Sequence, residues 1–186
     1  LPILAGLGDR PDDTSPSALI LVPTRELAVQ VHKATSEYAR GSGASVLAVF
    51  GGQPIGRQLG PLKRGVDIVV ATPGRALDHI RRGSLKTGQI RVLVLDEADE
   101  MLDMGFADEL EAILVGMPES RQTMLFSATM PSRIKSIAKR HMNDPVRVTI
   151  ERDGNENGEG PRIRQTAHLV TRQNKTAALA RVLDME

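Results

Sequence analysis

The chain has 186 residues, which is enough for one domain with a sizeable core, and its 40% hydrophobic and 25% charged content is typical of globular proteins. The net charge of +1 excludes a global basic field, and the 2% aromatic content argues against a base-stacking surface, so any nucleic-acid contact has to be local. Cys is absent, which excludes disulfides and thiolate zinc sites and fits a reducing cytoplasm, and no apolar run approaches the ~20 residues of a transmembrane helix, so we expect no membrane partner.

Apolar runs and helical patterns alternate along the first 150 residues. Residues 1–7 resemble the end of a helix, and a loop rich in Gly, Pro and Asp follows. The predicted strands are 18–22, 44–49, 66–71, 91–95, 122–126 and 145–150. The predicted helices are 24–40, 54–63, 73–82, 106–117 and 131–142. This alternation predicts an α/β fold, with a parallel sheet, helices on both faces and right-handed crossovers.

The first long helix has a clear predicted inward face. Leu27, Val31, Ala34 and Tyr38 recur at the spacing of one helical stripe. The four His residues, in contrast, are far apart and show no metal-ligand spacing, so we expect ordinary surface or half-buried side chains.

The composition changes after residue 150. Residues 151–161 contain almost nothing apolar, which predicts a flexible linker after a first domain that spans 1–150. A strand at 163–170 and a helix at 174–183 follow, so we expect 162–186 to be the start of a second domain. One such βα unit cannot bury its own core, and we expect it to be poorly ordered or docked on the first domain. Neither chain end carries a helix cap, which predicts a cut from a longer protein.

An acidic cluster follows the fourth predicted strand. The aliphatic run 92–95 leads directly into Asp96, Glu97, Ala98 and Asp99. Adjacent carboxylates at the carboxyl end of a parallel strand suit a Mg²⁺ ion that shares its ligands with substrate phosphates. Acidic residues also favour the first turn of a helix, and taken alone the cluster fits either interpretation.

Four other polar clusters follow predicted strands. They are Pro23–Ala28, Gly51–Gly52, Thr72–Arg75 and Ser127–Thr129. Parallel topology predicts that all of them share one edge of the sheet with the acidic cluster, which is where ligands bind in such folds.

Two of these clusters place an Arg in the first turn of a helix. Thr24 and Thr72 fit simple helix caps, with Pro73 at the first helical position. The helix dipole, however, repels Arg25 and Arg75 at those positions unless an anion lies between them. Backbone N–H groups, a Thr hydroxyl and an Arg together form a phosphate clamp.

The remaining clusters are weak signals by themselves. Gly51 and Gly52 would let a phosphate strand approach the backbone closely, although they also fit a plain turn. The hydroxyls of Ser127 and Thr129, which flank Ala128, lie where they could hydrogen-bond Asp99, although they also fit a helix cap before the next Pro.

Taken together, in this order and at these strand ends, the clusters resemble the first RecA-like domain of a DEAD-box ATP-dependent RNA helicase of the bacterial type. The five sequences that carry the resemblance are P-T-R-E-L-A, G-G, T-P-G-R, D-E-A-D and S-A-T. The resemblance covers essentially the whole chain. It implies a RecA-like fold of the P-loop NTPase type, ATP and Mg²⁺ as cofactors, and RNA as the partner.

The resemblance also implies a role for each cluster. Asp96 and Glu97 would be catalytic and hold the metal, with Asp96 on Mg²⁺ and Glu97 on the attacking water. Asp99 would contribute to nucleotide binding and, with Ser127, Ala128 and Thr129, couple hydrolysis to RNA binding. RNA would be held through its backbone, without sequence preference. The residues implied in that grip are Thr24, Arg25, Glu26, Gly51, Gly52, Thr72, Pro73, Gly74 and Arg75.

One element of such an enzyme has no counterpart in these 186 residues. No Gly-x-x-x-x-Gly-Lys-Ser/Thr sequence is present, so we expect the segment alone to hydrolyse ATP negligibly. The alternatives are a non-catalytic nucleic-acid-binding remnant and a DNA-directed superfamily 2 ATPase on the same fold. The RNA that is remodelled and the oligomeric state do not follow from the sequence.

Overall fold

The computed structural model describes residues 2–7, 14–150 and 166–184. The chain divides into two compact units, Leu1–Pro145 and Val146–Glu186, and each is described by itself. The predicted linker at 151–161 lies outside the described residues, and the predicted domain division stays a prediction.

Five parallel strands form the sheet of the first unit, in the order β2-β3-β1-β4-β5. They are β1 (Ala18–Leu21), β2 (Val46–Val49), β3 (Ile68–Ala71), β4 (Val92–Leu95) and β5 (Gln122–Leu125). The central strands β1 and β3 are buried on both faces, which is why their sequences are unbroken aliphatic runs. The outer strands β2 and β5 are half-buried for most of their length.

One short helix precedes β1, and helices follow each of the five strands. They are α1 (Pro2–Ala5), α2 (Arg25–Ala39), α3 (Gly56–Arg64), α4 (Pro73–Arg81), α5 (Ala98–Asp103), α6 (Ala107–Val115) and α7 (Ser132–His141). Thr24 caps α2, Pro73 starts α4, and α7 ends on the basic residues 139–141, which complement the carboxyl end of a helix dipole.

Alternating strand residues divide the core into two layers. Leu19, Leu21 and Leu93 point to one face and pack with side chains of α3 to α7. Ile20 and Val94 point to the other face, where Ala28 of α2 and partly buried residues of α1 cover them. The predicted parallel sheet with helices on both faces is therefore confirmed.

The sixth predicted strand is wrong. Residues 145–150 have no strand, and Val146, Val148 and Ile150 are 82–90% exposed. Their alternating pattern offers one apolar face, but a strand also needs a hydrogen-bonding neighbour, and no described residue pairs with this segment.

The second unit contains a 3-10 turn at Arg172–Asn174 and α8 (Lys175–Leu183). The predicted helix is thus present. The predicted strand before it is not, because residues 166–170 form no strand and 163–165 lie outside the described residues. In the described segments, no helix is both long and apolar enough to span a bilayer.

Two details of the helices also differ from the predictions. Helix α5 was not predicted, since six residues are too few to show a helical period. In α2, Ala28 is buried and Leu27 and Val31 are half-buried, whereas Ala34 and Tyr38 are exposed. The buried face continues through half-buried Thr35 and buried Ala39, so in the second half of α2 it lies one residue further along the chain than predicted.

Candidate functional site

All five polar clusters begin from one row of strand ends. Val49, Ala71, Leu21, Leu95 and Leu125 are paired in register across the sheet, and each is the last residue of its strand. Neighbouring parallel strands lie about 4.8 Å apart, so the row is about 19 Å long. The clusters after β2, β3 and β1 form one half of this edge, and those after β4 and β5 form the other.

The acidic half begins with two adjacent carboxylates. Asp96 follows β4 and is half-buried, and its Oδ1 accepts a hydrogen bond from the backbone N–H of Glu97 at 3.1 Å. Glu97 has φ 51° and ψ 50°, a left-handed conformation that costs a non-Gly residue about 1–2 kcal/mol. This turn leaves the Glu97 side chain exposed at the strand end while the chain enters α5.

The third acid of this half is buried in a hydrogen-bond network. Asp99 is only 8% exposed, and its Oδ2 accepts from the Thr129 hydroxyl at 2.7 Å and the Thr129 N–H at 2.9 Å. Ser127 Oγ donates to the Thr129 carbonyl at 2.7 Å and accepts from the Asp99 backbone N–H at 3.3 Å. Thr129 therefore holds the carboxylate, and Ser127 bonds the main chain of Asp99 and also lowers the pKa of its carboxyl. Ala128 is exposed and makes none of these bonds.

This network sets the charge state of Asp99. Burial of the carboxyl raises its pKa, but the hydrogen bonds it accepts, above all from Thr129, outweigh burial and hold the pKa at about 2, below its ordinary value of 3.8. Asp99 is thus a fixed anion at neutral pH. Its second oxygen, Oδ1, is buried and has no hydrogen-bond partner among the described residues.

A divalent cation would find part of a coordination sphere here. Asp96 and Glu97 supply hard carboxylate oxygens at one strand end. Within the described ranges no cluster of three or more His, Cys, Asp or Glu side chains could hold a metal ion. The chemistry of the two carboxylates fits Mg²⁺, which commonly binds through one or two carboxylates and completes its shell with water and substrate phosphates.

An apolar cavity of about 370 Å³ adjoins Asp96. Ile20, Val94 and Met124 of the sheet and Phe126 after β5 contribute to its wall. Asp96 is the only charged side chain among the described residues that line it. Asp96 thus lies where a ligand with an apolar part could place a polar group.

In the other half, the turn after β2 meets the start of α2. Thr24 Oγ1 accepts from the Leu27 N–H at 3.1 Å, so Thr24 is a helix cap whose own hydroxyl hydrogen is still available to donate. The Arg25 guanidinium lies directly over Gly52, where a Cβ would overlap it. Gly52 also has φ 83°, whereas a Cβ on Gly51 would meet open space. Only the second glycine of the pair is therefore required by the fold.

The turn after β3 differs from the expected cap. Thr72 occupies the position before α4 and is 8% exposed, but its side chain makes no capping hydrogen bond. Pro73 is buried at the first helical position, and Gly74 approaches the ring of Phe106. Pro73 lacks the N–H that would have no partner at the first helical position in any case, so it fits the helix start without a cap at Thr72. Glu26, in the first turn of α2, is exposed.

Arg75 is anchored by its neighbours. Nη1 and Nη2 both donate to the Gln53 carbonyl at 3.2 Å, and Nη1 also donates to Gln58 Oε1 at 3.3 Å. Gln58 in turn contacts His79, which is completely buried. The prediction that all four His residues are surface or half-buried side chains is therefore wrong for His79.

Sequence reasoning missed Gln58 and His79. A usable signal existed for His79, since it lies four residues after Arg75 and so shares its helical face. None existed for Gln58, which lies 21 residues before His79 and meets it only through the packing of α3 on α4.

A family model described as DEAD/DEAH box helicase matches residues 1–137. The chain belongs to this family. As a member of the DEAD/DEAH box helicases, it is 47% identical over its full length to the ATP-dependent RNA helicase DeaD of Haemophilus influenzae, covering 30% of that protein. It is 45% identical over its full length to DeaD of Escherichia coli, covering 29% of it. It is 42% identical over 95% of its length to the DEAD-box ATP-dependent RNA helicase CshA of Bacillus subtilis, covering 35% of it.

Structural similarity agrees with this membership. The yeast DEAD-box splicing factor Prp28 superposes with a TM-score of 0.71 at 36% identity, over 76% of this helicase chain and 35% of Prp28. The chain spans about a third of the length of the relatives named here. The resemblance stated from the motifs is confirmed at the level of family and fold, while the roles of individual residues remain predictions.

Proposed function

We propose that this chain is part of an ATP-dependent RNA helicase that remodels short RNA duplexes or RNA–protein complexes. The observation that carries the proposal is the division of one sheet edge into a cationic half, with Arg25 and Arg75, and an acidic half, with Asp96 and Glu97. Both Arg residues lie in the first turn of a helix, where the helix dipole disfavours a cation and a bound anion offsets that cost. The names of the relatives, which are RNA helicases, support the same proposal.

The cationic half binds the sugar-phosphate backbone of RNA. The Thr24 hydroxyl, the Arg25 and Arg75 guanidinium groups and the backbone around Gly52 offer donors to phosphate oxygens. Glu26, Gly51, Thr72, Pro73 and Gly74 complete this surface. None of these groups reads a base edge, so binding is independent of sequence, and contacts to 2′-hydroxyls provide preference for RNA.

The acidic half carries the nucleotide chemistry. Asp96 would hold Mg²⁺, and the ion when bound would supply neutralisation of the charge that develops on the phosphates of ATP. Glu97 orients the attacking water and accepts its proton on the carboxylate, which the left-handed backbone keeps exposed. Asp99 contributes a fixed negative charge behind them.

The Asp99–Thr129 pair couples ATP hydrolysis to RNA binding. It joins the segment after β4 to the segment after β5, so a change at one strand end is felt at the other. We propose that Ser127, Ala128 and Thr129 transmit the state of the nucleotide through this link. The 186-residue chain by itself would hydrolyse ATP negligibly, since it contains no Gly-Lys phosphate loop. A cytoplasmic location is part of the proposal and is supported by the absence of Cys.

Charge reversal on α4 tests the RNA grip. Arg75→Glu should weaken binding of fluorescently labelled RNA about tenfold or more, equally for unrelated sequences, since it replaces a charge-assisted contact with repulsion. Arg82→Glu is the matched control, because it makes the same charge change about 10 Å away beyond the other end of α4. Binding is measured by fluorescence anisotropy with RNA and DNA of one sequence.

The outcomes separate the alternatives. Preference for RNA, with ~0.7 log units of affinity lost per log unit of salt for each phosphate contacted, supports the helicase. Equal affinity for DNA would favour a DNA-directed ATPase. A change in sequence preference at Arg75→Glu, or equal losses at both positions, would refute the backbone grip.

A further inference from the structure

Gln58 is a buried amide whose orientation is fixed. It is 2% exposed, and its Nε2 donates to the Phe50 carbonyl at 2.9 Å. Its Oε1 therefore faces the other way, where it accepts from Arg75 Nη1 at 3.3 Å and from His79 Nε2 at 2.9 Å. A flipped amide would place its NH₂ group against both of these donors. Gln58 can thus serve only as the shared acceptor of Arg75 and His79.

His79 is fixed in one tautomer by the same logic. Since Gln58 Oε1 is an acceptor, His79 Nε2 carries the hydrogen, and Nδ1 is left as an acceptor. The single hydroxyl hydrogen of Ser84 is shared between His79 Nδ1, 2.8 Å from Ser84 Oγ, and the His79 carbonyl, 3.1 Å from it. Burial, followed by the nearby charge of Arg75, holds the pKa of His79 below its ordinary value of 6.5. His79 is therefore neutral at pH 7, with both ring nitrogens satisfied.

The hydrogen bonds of Arg75 leave one edge of its guanidinium open. Three of its five N–H groups point at the Gln53 carbonyl and Gln58 Oε1. The Nε–H and the second Nη2–H have no partner among the described residues. These two N–H groups are parallel, which is the geometry of a bidentate contact with a phosphate.

We propose that Gln58 and His79 are positioning residues, which hold the Arg75 guanidinium so that its Nε–Nη2 edge faces an RNA phosphate. The inference rests on the proposed RNA contact of Arg75. Packing alone does not require an amide and an imidazole here, since apolar side chains of similar size could fill the same space. The Arg75 side chain is thus ordered before RNA binds, which lowers the entropic cost of binding.

The test uses a double-mutant cycle in the full 186-residue chain. The paired change Gln58→Met with His79→Leu removes the hydrogen bonds from Arg75 and His79 to Gln58 but keeps the side-chain volume. Circular dichroism and urea unfolding test whether the paired variant is folded. Arg75→Ala should weaken binding of a labelled oligouridine about tenfold. The paired change should weaken it about three- to tenfold, as expected when one long side chain loses its pre-ordering. In the Arg75→Ala background it should have no further effect.

A conservative variant supplies the rescue. His79→Gln keeps an N–H donor near the Nε2 position and should bind RNA close to the wild-type affinity, whereas His79→Leu should not. The Nε–H resonance of Arg75 in ¹⁵N-edited NMR spectra gives a readout without RNA. It should be resolved in the wild type and broadened by solvent exchange in the paired variant.

Two results would overturn the inference. The first is wild-type affinity in the folded paired variant, and the second is an equal loss in the presence and absence of Arg75. Either would leave the proposed RNA contact intact, since that contact is tested by Arg75→Ala alone. Unchanged binding by Arg75→Ala would instead refute the contact and, with it, the positioning role.

Discussion

The hydrogen bond from the Thr129 hydroxyl to the Asp99 carboxylate should contribute about 1 kcal/mol to the folding free energy at neutral pH. The pKa of Asp99 lies at about 2 instead of 3.8, and each pKa unit corresponds to about 1.4 kcal/mol, so the network stabilises the ionised carboxylate by about 2.5 kcal/mol. The Thr129 hydroxyl at 2.7 Å contributes most to the lowered pKa, followed by the Ser127 hydroxyl and the Thr129 N–H at 2.9 Å. Thr129→Val removes the hydroxyl and keeps both the N–H and the shape.

The assay is a double-mutant cycle with Asp99→Asn, measured by urea unfolding at pH 7. Far-UV circular dichroism is the suitable signal, because the chain has no Trp and one Tyr. Thr123→Val is the matched control, since the Thr123 hydroxyl is buried on β5 without a hydrogen-bond partner in the described part of the chain. Its removal should leave stability unchanged or slightly raised, because an unsatisfied hydroxyl is lost.

The expected coupling energy between Asp99 and Thr129 is about 1 kcal/mol. A value within about 0.5 kcal/mol of zero would refute the reasoning, since independent sites add to within that margin. A loss at Thr123→Val as large as that at Thr129→Val would also count against it, because it would show that any hydroxyl removal in this region destabilises the fold.

Three further perturbations probe the same edge. Gly52→Ala should destabilise the protein by about 1–2 kcal/mol through its positive φ and should displace the flexible Arg25 guanidinium, while Gly51→Ala should be near neutral, as measured by thermal unfolding. Glu97→Gly should stabilise the fold by up to about 1 kcal/mol in urea titrations by relieving the left-handed conformation, as should Asp144→Gly, which has φ 40°. Asp99 has a folded pKa below its unfolded value, so its contribution is complete above pH 4 and is lost as the pH falls through about 2. Acid titrations of the wild type should show this loss and those of Asp99→Asn should not. Loss of stability at Gly51→Ala equal to that at Gly52→Ala, a destabilised Glu97→Gly, or identical acid profiles would each contradict the corresponding expectation.

The sheet and its polar edge were predictable because their signals are local. A buried parallel strand requires an unbroken aliphatic run, and the residues after Leu95 and Ala71 are read directly from where those runs stop. The contact of Asp99 with the segment after β5 followed from the adjacency of two strand ends. The strand predicted at 145–150 is wrong because its signal is only half local. The pattern is strand-like, but pairing depends on a neighbouring strand that no local sequence reveals.

The anchoring of Arg75 could not be predicted, because its partners are distant in sequence. Gln58 precedes it by 17 residues, and the contact exists only because α3 and α4 pack on the same face of the sheet. The lack of a capping hydrogen bond at Thr72 could not be predicted either. Its residue type and its place before Pro73 both fit a cap, yet the hydroxyl makes no such bond.

The five strands end in one row, and this limits which changes in chain length the two halves of the edge can tolerate. Among the strands of the described residues, β1 alone is hydrogen-bonded to both β3 and β4, so it sets the spacing between the cationic and acidic halves. An insertion of one residue within β1 would turn its side chains to the opposite layer and displace both halves together. The segments beyond Leu21, Ala71 and Leu95 are free of that constraint. Variation in length should therefore accumulate outside this row, and the strands themselves should keep a constant length in proteins that preserve both halves.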